Sequence, residues 1–340
     1  MQNETYNVIG TYGGTNNNML EYGQRVLVKP TGQDVLVKIK AISVNPIDTK
    51  LRQALPKQNT LKVFGYDGVG EIIEMGPAVV GFEIGDNIFY AGTTRRDGSN
   101  GEYQLVNAKL VAKKPNTLTL AQSVAMPLTS LTAYELLFEK LGLIPRANAH
   151  KGQTLLIING AGGVGAIATQ LGKWIGMTVI STAGNETSRD FCFAMGADFV
   201  VNHYQNYQRK LTELGFNNVD YVIVLNALEQ HFRSAAALIA PFGHIGSIIA
   251  TPKDLPLTLL KNKSASFDWE YMFAKTDYNY QIDSQGKYLN TIAKLLDEKI
   301  LKTTVKIELK GINLHNLNKA HAMIENGHMI GKIVLVGKFE

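Results

Sequence analysis

The pattern of apolar and polar positions divides the chain into three stretches. Over residues 1–125, short β-like runs are broken by glycine, proline and asparagine. VLVKIKA at 35–41 alternates with a period of two, as a strand with one buried face does. Asn45-Pro46 ends it, because proline cannot continue a central strand. Residues 70–75 and 88–91 read as further strands, with Gly65, Gly68, Gly76, Gly81 and Gly85 marking turns.

Residues 126–270 change character. Short apolar runs at 155–159 (LLIIN), 178–182 (TVIST), 199–202 (FVVN), 220–226 (DYVIVLN) and 243–249 alternate with helical spacing at 164–175, at 186–195 and from about 229 to 239. The second helix stops at Gly196. Strands apolar on both faces, alternating with helices, predict a parallel α/β sheet. Residues 271–340 add a helix near 288–298, a strand near 304–307, a helix near 314–325 and a last strand at 332–336. No internal repeat is visible, and Asn16-Asn17-Asn18 is too short to count as low complexity.

A chain of 340 residues suits two domains. At 45% hydrophobic and 19% charged, its composition is that of an ordinary soluble globular protein. No apolar run approaches the roughly 18 residues of a membrane span. Met1-Gln2-Asn3-Glu4 lacks the basic-then-apolar start of a signal peptide. Cys192 stands alone, so no intrachain disulfide can form and a reducing cytoplasm is expected. The net charge of +5 is scattered, with pairs such as Lys113-Lys114, Arg95-Arg96 and Lys261/Lys263 as the tightest groups. That is a solvated surface, and neither nucleic acid nor membrane is expected as a partner.

The chemistry concentrates at Gly160-Ala161-Gly162-Gly163-Val164-Gly165, a G-x-G-x-x-G run that follows the apolar strand LLIIN and opens a helix. In that context the first glycine permits a tight turn, Gly162 lets backbone approach a pyrophosphate, and Gly165 lets helix and strand pack closely. The helix start then offers free N–H groups to the phosphates. No Gly-Lys-Ser/Thr follows, which disfavours a Walker-type loop. NAD sites place an acid about 20 residues on, at the end of the second strand. Here Ser181-Thr182-Ala183-Gly184-Asn185 holds none, so NADPH is expected over NADH, with Thr182, Asn185 and Arg189 facing a 2′-phosphate. Asn185 reads equally well as a helix N-cap, and Glu186 is the counter-argument, since it can turn back to a ribose.

Six stretches in order resemble the medium-chain dehydrogenase/reductase superfamily, and within it the zinc-free quinone-oxidoreductase branch. They are Ser43-Val44-Asn45-Pro46-Ile47-Asp48-Thr49-Lys50, Gly65-Tyr66-Asp67-Gly68-Val69-Gly70, Leu128-Thr129-Ser130-Leu131-Thr132-Ala133-Tyr134-Glu135, Gly160 to Gly165, Met195-Gly196-Ala197-Asp198 and Gly331-Lys332-Ile333-Val334-Leu335. The match runs over essentially the whole chain. The resemblance implies an α/β protein with a GroES-like β-barrel over 1–125, a Rossmann domain over 126–270, and a segment 271–340 that returns to the first domain. It places the active site in the cleft between domains and implies a homodimer. Zinc members of this superfamily bind catalytic metal through Cys, His or Glu, and Cys, and carry a four-cysteine lobe. Here the first position is Asn45, the second region reads Gly65-Tyr66-Asp67, and residues 97–106 hold no cysteine. One cysteine builds neither site, so no zinc is expected. His315 and His321 read as surface residues of a late helix.

On the catalytic side the resemblance points to Asn45 beside the nicotinamide, Tyr66 as a phenol donor and Thr129 on the substrate side; each also reads as a turn or packing residue. Asp67 reads as an ion-pair or orienting group. Relatives often carry a tyrosine five residues after the asparagine, where this chain has Lys50. The proton donor is therefore open. On the cofactor side it points to Thr132, Gly160, Gly162, Gly163, Val164, Gly165, Thr182, Asn185, His203, Asn226, Ile245 and Lys332. The aromatic run 267–273 (FDWEYMF) reads as pocket, interface or core, and Cys192 as an inert core thiol. The expected activity is NADPH-dependent reduction of quinones or α,β-unsaturated carbonyls. The alternatives are a zinc-type dehydrogenase of small alcohols, or a nucleotide-binding regulatory protein without turnover.

Overall fold

The structure, a computed structural model, describes residues 4–14 and 19–340. The chain start Met1-Gln2-Asn3 and the run Asn16-Asn17-Asn18 lie outside the described residues. The chain divides into two compact units. One comprises the chain up to Leu128 with Phe273–Lys299 and Thr303–Glu340, and the other Thr129–Met272 with Ile300–Lys302.

The first unit is built on a seven-stranded sheet. Its order is Val305–Ile312, Lys332–Phe339, Asp34–Val44, Asp67–Met75, Asn87–Tyr90 and Val111–Lys113, with Tyr103–Asn107 also paired to Asp34–Val44. The alternation at 35–41 thus marks the middle of this sheet, where Val35, Val37 and Ala41 are fully buried. A second sheet joins Glu21–Val26, Thr5–Thr11 and Lys62–Val63. The last strand does not extend the chain outward. It lies antiparallel to Asp34–Val44, with Ile333 opposite Val44 and Val334 opposite Ser43. On the other side Ser43 faces Asp67. This register brings residues 45, 67 and 332 to one end of the sheet.

One expectation is corrected in this unit. His321, read as a surface residue, is 2% exposed on helix Leu314–Glu325, and neither ring nitrogen has a hydrogen-bond partner. The polar letters around it in the sequence hide a face that packs on helix Pro46–Ala54, where Arg52 pairs with Glu325 at 2.5 Å. Burial, aided by the Arg52 charge, pushes the imidazole down to about 3. His315 is exposed, as expected.

The second unit is a six-stranded parallel sheet. Its strands are β1 (Thr154–Ile158), β2 (Thr178–Ala183), β3 (Phe199–Asn202), β4 (Val219–Val224), β5 (Ile239–Ser247) and β6 (Ser266–Trp269). They lie in the order β3-β2-β1-β4-β5-β6. The connecting helices include α1 (Gly163–Trp174), α2 (Glu186–Ala194), α3 (Tyr207–Glu213) and α4 (Leu228–Leu238). This is the doubly wound dinucleotide-binding order, which reverses beside β1. Leu155, Leu156, Ile157 and Ile158 are fully buried, as a central parallel strand requires. The aromatic run 267–273 is split: Phe267 packs on the core around Phe232, Trp269 and Tyr271 are each 46% exposed, and Met272 and Phe273 are buried.

His321 makes a stability prediction. An unfolded histidine takes up a proton below about pH 6.5, whereas the buried ring stays neutral down to about 3. Stability is therefore unaffected by this group above pH 6.5 and falls as pH drops through that window. At pH 5 the penalty comes to about 2 kcal/mol. His321→Leu should leave the pH 8 melting temperature little changed and flatten its decline between pH 6.5 and 4.5. An unchanged acid slope in thermal melts would contradict the burial.

Candidate active site

In the second unit, β1 gives way to α1 through a turn in which Asn159 takes the left-handed conformation, φ 70°. The tight turn expected of Gly160 is thus made one residue earlier. Asparagine tolerates that region because its short side chain bonds locally. Gly160 is needed for a different reason. A Cβ there would lie 2.7 Å from Ser181 Cβ and 3.3 Å from Cys192 Sγ. Gly165 fulfils its expected role: a Cβ would meet Gly160 O at 2.6 Å. Gly162 differs from both. A Cβ there would have only Asn159 nearby, at 3.7 Å and 3.8 Å. Nothing in the protein's own packing demands a glycine at this position.

The first bond at the start of α1 runs from Ala166 N–H to Gly162 O at 2.9 Å, and no side chain caps the helix. The amides of Gly163, Val164 and Gly165 precede that bond. Gly162, Gly163 and Val164 are half-buried, so this end of the helix is open. Bare amides, a helix dipole and a glycine free of packing duties fit a diphosphate.

The residues expected around the adenosine end are placed as follows. Thr182 is fully buried; its Oγ1 accepts from Asn159 N–H at 2.9 Å and lies 3.0 Å from His203 Nδ1. It holds the turn from behind. Asn185 caps α2, accepting from Ser188 N–H at 2.9 Å in a capping box. Arg189 pairs with Glu186 and Asp190 on an exposed surface. His203 is half-buried beside Tyr204, and desolvation lowers its pKa. Asn226 is exposed just past β4. Ile245 is fully buried inside β5, opposite Val222 and Phe267, two residues before that strand ends at Ser247. Thr129 and Thr132 are buried on helix Pro127–Tyr134, where Thr132 is the sixth residue and so not a cap. Cys192 is fully buried, and burial pushes its thiol up to about 12. A buried carboxyl pair went unnoticed in the sequence: burial and the Glu135 charge push Glu270 up to about 9, and its N–H bonds Ser247 O at 2.9 Å.

In the first unit the end of the sheet holds a polar cluster under a few per cent exposed. Asn45 Nδ2 donates to Asp67 Oδ2 at 2.8 Å, and Lys332 Nζ pairs with the same oxygen at 2.9 Å. Lys332 also donates to Asn45 Oδ1. The other oxygen of Asp67 accepts from Leu128 N–H at 2.8 Å. Asn45 N–H donates to Asp48 Oδ2 at 2.6 Å, and burial pushes the Asp48 carboxyl up to about 7. Tyr66 is buried with its ring 4.8 Å from Phe273. Lys50 is exposed. Among the described residues, no three His, Cys, Asp or Glu side chains are placed to hold a metal ion. No helix among them is long and apolar enough to cross a membrane.

Comparison with known proteins agrees with this geometry. Residues 31–116 match the alcohol dehydrogenase GroES-like domain, and residues 195–335 match a family described as zinc-binding dehydrogenase. A zinc-type alcohol dehydrogenase-like protein of Staphylococcus aureus is 40% identical over 307 residues, which is 90% of this chain and 91% of that one. An NADPH-dependent alkenal/one oxidoreductase of Arabidopsis thaliana is 32% identical over 208 residues, covering 58% of this chain and 51% of its own. The solved quinone oxidoreductase from Coxiella burnetii superposes with a TM-score of 0.81 at 26% identity, covering 98% of this chain and 99% of its own. The chain belongs to the medium-chain dehydrogenase/reductase superfamily, alongside the zinc-type alcohol dehydrogenase-like proteins. It is an NAD(P)H-dependent oxidoreductase of the quinone-oxidoreductase type, with a GroES-like sheet domain and a Rossmann-like domain.

Gly162→Ala separates packing from binding. The backbone there, φ −74°, suits alanine and the methyl meets nothing closer than 3.7 Å. The variant should melt like the parent yet bind NADPH at least about tenfold more weakly in a fluorescence titration, because the methyl stands where the diphosphate approaches. Parent-like affinity would show that phosphate does not sit on this turn.

Proposed function

We propose that this chain reduces quinones and α,β-unsaturated carbonyls with NADPH, without zinc, in the cytoplasm. The observation that carries the reading is the donor set at the end of the first unit's sheet. Where zinc relatives present thiolate and imidazole, this chain presents a carboxamide, a phenol and a carboxylate neutralised by an ammonium. The carboxamide N–H, the phenol O–H and the ammonium are donors that can meet a developing oxyanion, which suits reduction of a conjugated carbonyl. They are poor at polarising an alcohol for oxidation, where a metal is the usual Lewis acid.

The nicotinamide cofactor supplies the hydride. The chain supplies the rest. The amides of Gly163, Val164 and Gly165 hold the diphosphate, with Gly160 and Thr182 keeping the turn in shape and Thr132, Asn226 and the end of β5 after Ile245 lining the sheet's carboxyl side. Absence of an acid at 181–185 leaves room for a 2′-phosphate, with Asn185, Arg189 and His203 beside it. Asn45, Tyr66 and Thr129 serve the acceptor. The small-molecule acceptor is joined by one macromolecular partner, a second copy of the chain. Edge strand β6 pairs on one side only and carries exposed Trp269, which suits strand-to-strand docking.

The test is oxidation of NADPH and NADH against a panel of quinones and enones, with metal content measured on the same sample. We expect turnover with NADPH, at least about tenfold less with NADH, zinc well below one per chain, and no effect of chelator. Stoichiometric zinc with chelator-sensitive alcohol oxidation would replace this reading.

A further inference from the structure

We propose that His203 and His231 form a proton-operated seat for the cofactor's 2′-phosphate: NADPH binds with uptake of a proton by this imidazole pair, and its preference over NADH is therefore set by pH. This rests on the NADPH reading and goes beyond it by naming the charge that meets the phosphate and the condition under which that charge appears. Every residue involved lies in the second unit.

The polar side chains that follow β2 in sequence are already engaged. Arg189 pairs with Glu186 at 3.1 Å and with Asp190 at 3.4 Å on an exposed surface. Asn185 accepts from Ser188 N–H at 2.9 Å. Two rings from the chain just past β3 close on this end of β2 instead. A Cβ on Gly184, the residue after β2, would lie 2.5 Å from Tyr204 Cε2 and 3.1 Å from His203 Nε2. His203 Nε2 thus faces the strand end at which NAD sites place their acid. His231, in the first turn of α4, stands beside it with ring centroids 6.1 Å apart. Both imidazoles are half-buried, so neither is sealed from a ligand.

His203 can change charge without losing its bond. Its Nδ1 lies 3.0 Å from Thr182 Oγ1, which accepts from Asn159 N–H at 2.9 Å. A hydroxyl has one donor and two lone pairs. Beside a neutral ring, Thr182 O–H donates to Nδ1, and Nε2 carries the ring's proton. Beside a protonated ring, Nδ1–H donates to the second lone pair of Oγ1. In both states the turn after β1 stays fastened through Asn159, and Nε2–H stays on the side of Gly184.

The groups around the pair are Thr182 on β2, Tyr204 past β3, and Tyr207 on α3, whose hydroxyl lies 3.3 Å from His231 Nδ1. None of these is a carboxylate. Burial lowers the His203 pKa, and burial together with the His203 charge lowers that of His231. The free protein therefore holds both rings neutral at pH 7. A phosphate monoester brings about −1.5 to −2 charges at that pH. An opposite charge of this size favours the imidazolium, while each ring disfavours protonation of the other, so one proton is taken from solvent. NADH lacks the phosphate and draws none.

Calorimetric titration at pH 7.5, repeated in buffers of different ionisation enthalpy, counts the protons taken up per cofactor bound. The phosphate, with a pKa near 6, is already dianionic there, so any uptake belongs to the protein. We expect roughly half a proton to one proton with NADPH and none with NADH. NADPH affinity should fall at least about fivefold from pH 6.5 to 8.5, while NADH affinity holds within about twofold. The variant His203→Gln/His231→Gln, checked for a parent-like melting temperature, should take up no proton and lose the pH slope. NADPH binding by the parent without proton uptake would overturn the proposal, whether or not the variant folds. Parent-like uptake in the folded variant would overturn it too. If the parent binds NADPH no more tightly than NADH at pH 6.5, the NADPH reading fails and takes this one with it. A preference for NADPH that is the same at both pH values removes only the role of the imidazole pair.

Discussion

One of the tightest approaches in the second unit is between two pieces of main chain. The start of α1 lies so near the end of β1 that any side chain at Gly165 would run into the carbonyl of Gly160. That contact sets the angle at which the helix leaves the sheet. It leaves the first amides of α1 uncapped at the carboxyl end of the central strand, beside the point where the sheet order reverses. Thr182 on β2 fastens the turn by accepting from Asn159 N–H. Much of the remaining packing, from fully buried Leu155 to Ile158 on β1 to Phe232 on α4, keeps this geometry rigid.

The first unit solves a different problem. Three strands far apart in sequence end together, and each delivers one polar group: Asn45, Asp67 and Lys332. A carboxylate and an ammonium this deeply buried are costly to desolvate, and each makes the other tolerable.

Much of this was legible in the sequence, for physical reasons that can be named. β1, β2 and β4 were visible because central parallel strands are buried on both faces and read as unbroken apolar runs. The glycine turn was visible because backbone crowding permits little else there. Other features were not. The strand Glu21–Val26 carries no alternation strong enough to show, since most of its residues are at least half-exposed. β6 was hidden inside an aromatic run whose residues face several ways. His321 looked like one more polar residue on a polar helix. The Lys332–Asp67 pair spans 265 residues and depends on the register of antiparallel strands, which no local pattern encodes. Asn45 and Lys332 could each be picked out by resemblance, but their meeting could not.

The account as a whole stands on direct movement of a hydride from nicotinamide to carbon. NADPH carrying deuterium at the transferable C4 position, turned over with an α,β-unsaturated ketone in ordinary water, puts that to the test by mass spectrometry and NMR of the product. The account predicts one deuterium per product molecule, held at the β-carbon. A product without deuterium, or cofactor that returns still labelled, would contradict it.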